Sequence, residues 1–225
     1  MFKDVPIRNP IVLEYLNKSL DMRGEEITNL VHIKNINTYK RERSKWVGEE
    51  YLGELIAKGR DHLGFPEQVG GYSYSIETSA IKNDTDPNKA AALLDKVADI
   101  TFGLQTELCL KKNALFCYYP PGGYISWHNN ANASSYNFIF TWSETGNGHF
   151  LYRDGKTGKI CKIEDQPGWQ CKAGYFGGYF ESAENLCYHA CSTDCDRISI
   201  AFVLNRDEMG AGVQDLSAEY ISAEY

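Results

Sequence analysis

Tyr118-Tyr119-Pro120-Pro121-Gly122-Gly123-Tyr124-Ile125-Ser126-Trp127-His128-Asn129-Asn130 is the stretch that decides how the rest of the chain is read. Apolar runs flank Pro-Pro-Gly-Gly, so the segment reads as strand, tight turn, strand. Gly122 and Gly123 let the backbone turn sharply and approach the loop after His128 without interference from a Cβ. A lone histidine in a strand is usually packed or hydrogen-bonded and says little. Here His189 and the triplet Arg197-Ile198-Ser199 follow downstream, each in a strand-like context. That ordered set is far more specific than any of its members.

Working outward, the hydrophobic period becomes two from residue 113. Candidate strands are 114–119, 124–128, 136–143, 148–154, 159–164, 169–177, 186–191 and 197–204, punctuated by Gly146-Asn147-Gly148, Asp154-Gly155, Gly158 and Pro167-Gly168. So many short strands in so few residues predict an α+β, mainly β chain built on a double-stranded β-helix, a jelly-roll or cupin-like barrel. Before it, the pattern is helical at 10–22, at 43–63, and after Asp86-Pro87, where Ala91, Leu94, Val97, Ile100, Leu104 and Leu108 form a stripe. We expect a single domain: residues 1–112 as helical support packed on one sheet, 113–206 as the barrel, and 207–225 as a tail. The short direct repeat within 217–225 reads as tail or as one helical turn over the barrel mouth.

Composition bounds the function. With 225 residues and 43% hydrophobic content the chain can bury one sizeable core. A net charge of −7 disfavours sequence-blind nucleic-acid binding. The run Lys40-Arg41-Glu42-Arg43-Ser44-Lys45, with Lys34 before it, is the one local feature suited to an acidic partner, and it reads first as a solvated helix start. Seven cysteines and an N-terminus without an apolar leader predict reduced thiols in a cytoplasmic compartment. No apolar run is long enough to span a membrane. Cys187, Cys191 and Cys195 surround His189, but Cys187, His189 and Cys191 fall at strand period rather than in paired Cys-x-x-Cys steps, so inward-facing thiols are preferred to a zinc cluster.

Arg197 and Ser199 lie two apart, on the same face of a strand, and together can clamp a carboxylate. Ile198, Ile200, Phe202 and Leu204 form the opposite, apolar face, which turns Arg197 and Ser199 toward the barrel interior. A surface pairing of Arg197 with Asp194 or Asp196 is the competing arrangement. His32 and His149 have no evident partners, and His62 sits near a helix end, where a dipole contact suffices.

With its Gly-Gly-Tyr, His-x-Asn, distal His and Arg in this order, the chain resembles the prolyl 4-hydroxylase-like branch of the 2-oxoglutarate and Fe(II)-dependent oxygenases over roughly residues 113 to 206. It is also similar to uncharacterised members of that family found in bacteriophages. The resemblance implies Fe(II), 2-oxoglutarate and O2, with His128 and His189 as metal ligands and Arg197 and Ser199 on the distal carboxylate of the cosubstrate. It places Tyr119, Asn137 and Thr141 at polar cosubstrate contacts. The family's metal-binding carboxylate is replaced by Asn130, neutral but able to coordinate through its amide oxygen. Asn132 or Glu144 is a further candidate to fill the gap. The implied substrate is a peptide or protein side chain or a small molecule, and the host cytoplasm is the setting for a phage-encoded chain; a nucleobase comes second, resting only on the basic run near residue 40. From another class stands a catalytically silent jelly roll for binding or structure, and a thiol dioxygenase of the cupin type would want His-x-His instead of His128-Asn129-Asn130.

Overall fold

The computed structural model describes residues 2–32, 39–75 and 81–224, with residues 39–41 described by their backbone alone. Lys34 and the side chains of Lys40 and Arg41, part of the basic run, lie outside the described residues. Three short strands come first: β1 (Lys3–Val5), β2 (Val69–Gly70) and β3 (Tyr72–Ser73). Eight longer ones follow: β4 (Lys112–Tyr119), β5 (Tyr124–His128), β6 (Ser135–Ser143), β7 (Gly148–Arg153), β8 (Ile160–Glu164), β9 (Gly168–Phe176), β10 (His189–Thr193) and β11 (Arg197–Val203). They form two antiparallel sheets, one ordered β1-β9-β6-β11-β4-β3 and the other β2-β5-β10-β7-β8. The eight strands pass back and forth between the sheets in a jelly-roll-like order. The short early strands, invisible to a periodicity search, extend the sheet edges.

Each sheet has an apolar outer face to bury, which decides where the helices go. On β11, Ile198, Ile200 and Phe202 face outward and join Phe116, Phe138 and Phe140 in a cluster with Val12 and Leu16 of α1 (Pro10–Lys18). The 4-residue α2 (Glu25–Thr28) follows a 3-10 turn at 19–23. α3 (Tyr39–Trp46) and α4 (Glu49–Lys58) lie on the smaller sheet, where Tyr51, Leu52 and Leu55 cover Trp127, Leu151 and Ala190. α5 (Pro87–Glu107) packs Leu93, Val97, Ile100 and Leu104 on the larger sheet. Its cap is the expected one, Asp86 accepting from the backbone N–H of Asn88 and Lys89.

Four expectations are corrected. Helices cover both sheets instead of one, because the outer face of the smaller sheet is apolar too. The helix expected over 43–63 is two: Gly48 is extended (φ −79°, ψ 161°) and starts α4, with Glu49 and Glu50 in its positive first turn. The expected tail is the 15-residue helix α6 (Glu208–Ser222), capped by Asp207. It packs on the helical side of the larger sheet, where Gln214 Nε2 donates to the Asn137 carbonyl and Ser217 Oγ to the Leu108 carbonyl. Finally, the Gly122-Gly123 turn does not approach the His128 loop. Gly122 N–H donates to the Thr193 carbonyl, at the other end of β5 from His128.

Candidate functional site

Cross-strand pairing brings the two histidines together. His128 ends β5, His189 begins β10, and the two are register partners with ring centroids 4.0 Å apart at 52°. Each Nδ1 lies on a backbone carbonyl oxygen, His128 on Ser126 at 2.9 Å and His189 on Cys187 at 3.1 Å. A carbonyl only accepts, so in both rings the proton sits on Nδ1 and the lone pair on Nε2. Burial pushes the His128 pKa down to about 4 and that of His189 well below the usual imidazole value, with His128 as a second cause for His189. The result is a pair of neutral imidazoles whose second nitrogen is fixed by the backbone, the orientation that metal-bound histidines adopt.

Asn130 follows in a left-handed conformation (φ 60°), half-exposed, its N–H donating to the Gly64 carbonyl at 2.8 Å. Gly64 is itself left-handed (φ +81°), and a Cβ there would lie 2.1 Å from Ala131 N. Gly64→Ala is therefore expected to lower stability by about 1–3 kcal/mol through strain and to pull this loop off its support. Thermal melts check the first effect, and amide hydrogen exchange at Asn130 and Tyr179, whose N–H groups hold this loop, checks the second. The same loop receives Tyr179, whose N–H donates to the Ala131 carbonyl and whose hydroxyl lies 2.8 Å from the carbonyls of Gly59 and His62. His62, set aside on sequence grounds, is buried beside this loop, accepts from Gly64 N–H through Nδ1, and acts electrostatically on His128. Asn132 is exposed on the same loop. Glu144 is exposed at the far end of β6 from Phe176, the residue whose ring meets His189 edge-on at 4.6 Å. Among the described residues no three His, Cys, Asp or Glu side chains are placed to hold a metal ion.

Arg197 and Ser199 face the interior with the Thr141 side of β6, as the strand alternation predicts. The guanidinium is not at the surface with Asp194 or Asp196. It is buried, and Nε donates to Asp165 Oδ2 at 2.8 Å. Nη1 donates to Ser199 Oγ and to Cys191 Sγ, and Nη2 reaches Thr141 Oγ1 only at 3.5 Å. Cys191 is two residues from His189 on β10, so the charge sits roughly 7 Å along the strand from the imidazoles. Tyr119 is fully buried with its ring facing Arg197 at 5.8 Å, and its hydroxyl meets only the weakly bonding thiols of Cys117 and Cys191. Asn137 is less available than its position suggests: its Nδ2 donates to the carbonyl and hydroxyl of Ser135. Asp165 and Phe2 were missed. Phe2, just before β1, inserts its ring among Phe150, Tyr152 and Phe176 with centroids near 5 Å. Arg43 of the basic run is anchored to Asp194 and the Thr193 carbonyl.

No protein-family model and no curated protein matches the chain. Among solved structures it is similar to the dioxygenase for auxin oxidation 1 from Arabidopsis thaliana in complex with 2-oxoglutarate, at 12% identity over 77% of this chain and 89% of that one, with a TM-score of 0.29. It is also similar to a predicted oxalate decarboxylase from Thermotoga maritima, at 18% identity over 41% of this chain and 69% of that one, with a TM-score of 0.19. Likenesses this remote carry no weight for fold or chemistry, and both rest on the geometry above. No helix among the described residues is long and apolar enough to cross a membrane.

Proposed function

We propose that the chain is an Fe(II)- and 2-oxoglutarate-dependent oxygenase on a double-stranded β-helix, acting on a C–H bond of a peptide or protein side chain. The observation that carries this reading is the His128–His189 pair, with both Nδ1 protons committed to backbone carbonyls and both Nε2 lone pairs left to bind. Two neutral imidazoles suit a first-row divalent ion. Bound there, iron with dioxygen and 2-oxoglutarate would supply the oxidising power for hydroxylation, with succinate and carbon dioxide as coproducts.

The chain's own residues bind, orient and exclude water. His128 and His189 hold the metal, and Asn130 stands in the third-ligand position without adding charge. Arg197, Ser199 and Thr141 receive the distal carboxylate of the cosubstrate, against the ring of Tyr119, while Asn137 lines the same interior. Phe150 and Phe176, both against His189, keep that side dry.

Asn130→Asp tests the third position. A carboxylate beside a dication should tighten Fe(II) binding by about tenfold or more, since even changes outside the ligand set are worth 10–100-fold. Anaerobic equilibrium dialysis measures it, with succinate release on the same two proteins. Unchanged affinity would show that residue 130 does not serve the metal. A second reading, a silent jelly roll, is favoured by one observation: Arg197, the expected cosubstrate anchor, already has an internal carboxylate on Nε. In that case neither protein binds iron and Asn130→Asp gains nothing.

A further inference from the structure

The interior that holds Arg197 contains more charge than one cosubstrate anchor requires. Asp165, in the short connection between β8 and β9, has a side chain only 1% exposed, and it meets an Arg197 side chain 2% exposed. Its Oδ2 accepts from Arg197 Nε, but Oδ1 is buried with no partner. Lys172, on the inward face of β9, is the second cation. It is 3% exposed, and its Nζ donates to Gln170 Oε1 at 2.7 Å. Burial lowers the Lys172 pKa, and Asp165 is the first of the neighbours opposing that shift. Asp4, opposite Lys172 on β1, is exposed and so screened by water. The buried charges are two cationic side chains and one carboxylate, with the Tyr119 hydroxyl close by among thiols.

How Asp165 holds Arg197 matters as much as its charge. The contact is to Nε, at the side of the guanidinium, and not to the two-nitrogen fork that makes paired hydrogen bonds to a carboxylate. The fork is left with neutral acceptors: the Ser199 hydroxyl and a thiol on Nη1, and a hydroxyl on Nη2 at the limit of hydrogen-bond length. A charged carboxylate is a stronger partner for the fork than any of these neutral groups. Unlike a free arginine, however, this one offers it a charge already cancelled.

We propose that Asp165 is the residue that sets the carboxylate affinity of this buried charged cluster. It holds Arg197 by Nε so that the Nη1–Nη2 fork is presented to the ligand, and it cancels one of the two buried positive charges, leaving Lys172 to supply the attraction. The cluster is thereby matched to one end of a small dicarboxylate and restrained from holding it tightly. The ligand's identity rests on the oxygenase reading, whereas the anion site itself does not.

The test uses glutarate, a five-carbon dicarboxylate lacking the oxo group that would chelate iron, titrated calorimetrically into metal-free protein. Asp165→Asn keeps an oxygen for Nε and removes the charge. It should bind glutarate at least about tenfold more tightly than the unaltered chain, because a unit charge a few ångströms away is worth at least that in a protein interior. Adding Arg197→Met should abolish the gain. Lys172→Met, in the native background, should weaken glutarate by about tenfold or more, which keeps the proposal testable if Asp165→Asn does not fold. An Asp165→Asn protein with a cooperative melt and unchanged or weaker glutarate binding would overturn the proposal, as would a Lys172→Met protein that binds glutarate as well as the native chain. Neither result depends on iron, so loss of the oxygenase reading and loss of this one are separable.

Discussion

Arg197→Met is expected to destabilise the protein by about 3–5 kcal/mol, because it leaves the Asp165 carboxylate buried without its cation. The second oxygen of Asp165 already lacks a partner, so no hydrogen bond is in reserve. Adding Asp165→Leu should restore most of the loss, since a well-packed apolar pair often matches a buried ion pair in stability. Urea denaturation of the two single variants and the double variant measures the coupling. Equal stability of the native chain and Arg197→Met would mean that the pair is open to water.

The second large effect is on acid stability. In the metal-free protein His128 titrates at about 4 when folded, whereas an unfolded histidine titrates near 6.5. Between those values the unfolded chain carries a proton that the folded one refuses, so ν_U exceeds ν_N and stability rises with pH. Lowering the pH from 6.5 to 4 should therefore remove about 3 kcal/mol through His128 alone. His189, pushed well below the usual imidazole range by burial, adds to the loss in the same direction. Denaturation in the presence of chelator at several pH values checks this. A His128→Gln variant should show a shallower slope, and a native profile flat over that window would mean the rings are solvated.

Part of this architecture was legible in the sequence because alternation carries direct information about faces. Ile198, Ile200 and Phe202 announce an outward apolar face, which forces Arg197 and Ser199 inward, and the structure has that arrangement. The eight strands from residue 112 onward depart from the expected bounds by three residues at most, the largest shift being at His189, where β10 begins. The pairing of His128 with His189 follows once those strands share a sheet.

What escaped has no periodic signal. α6 buries Gly210, Ser217 and Ile221, which make no apolar stripe, so it reads as a tail. β1 is three residues long, and Phe2 gains its meaning only from rings about 150 to 175 positions away. Asp165 sits in a loop, where an aspartate is an ordinary turn residue, and its partner lies 32 positions on. Pairings of that kind are set by tertiary packing, and no spacing rule reaches them.

The central claim, that His128 and His189 hold one iron, is tested most directly by anaerobic equilibrium dialysis of Fe(II) against the native chain, His128→Ala and His189→Ala. The account predicts one iron per native chain and a loss of affinity of at least about 100-fold in each variant, beyond what changes outside the ligand set produce. Iron bound equally by all three proteins, or by none, would contradict it.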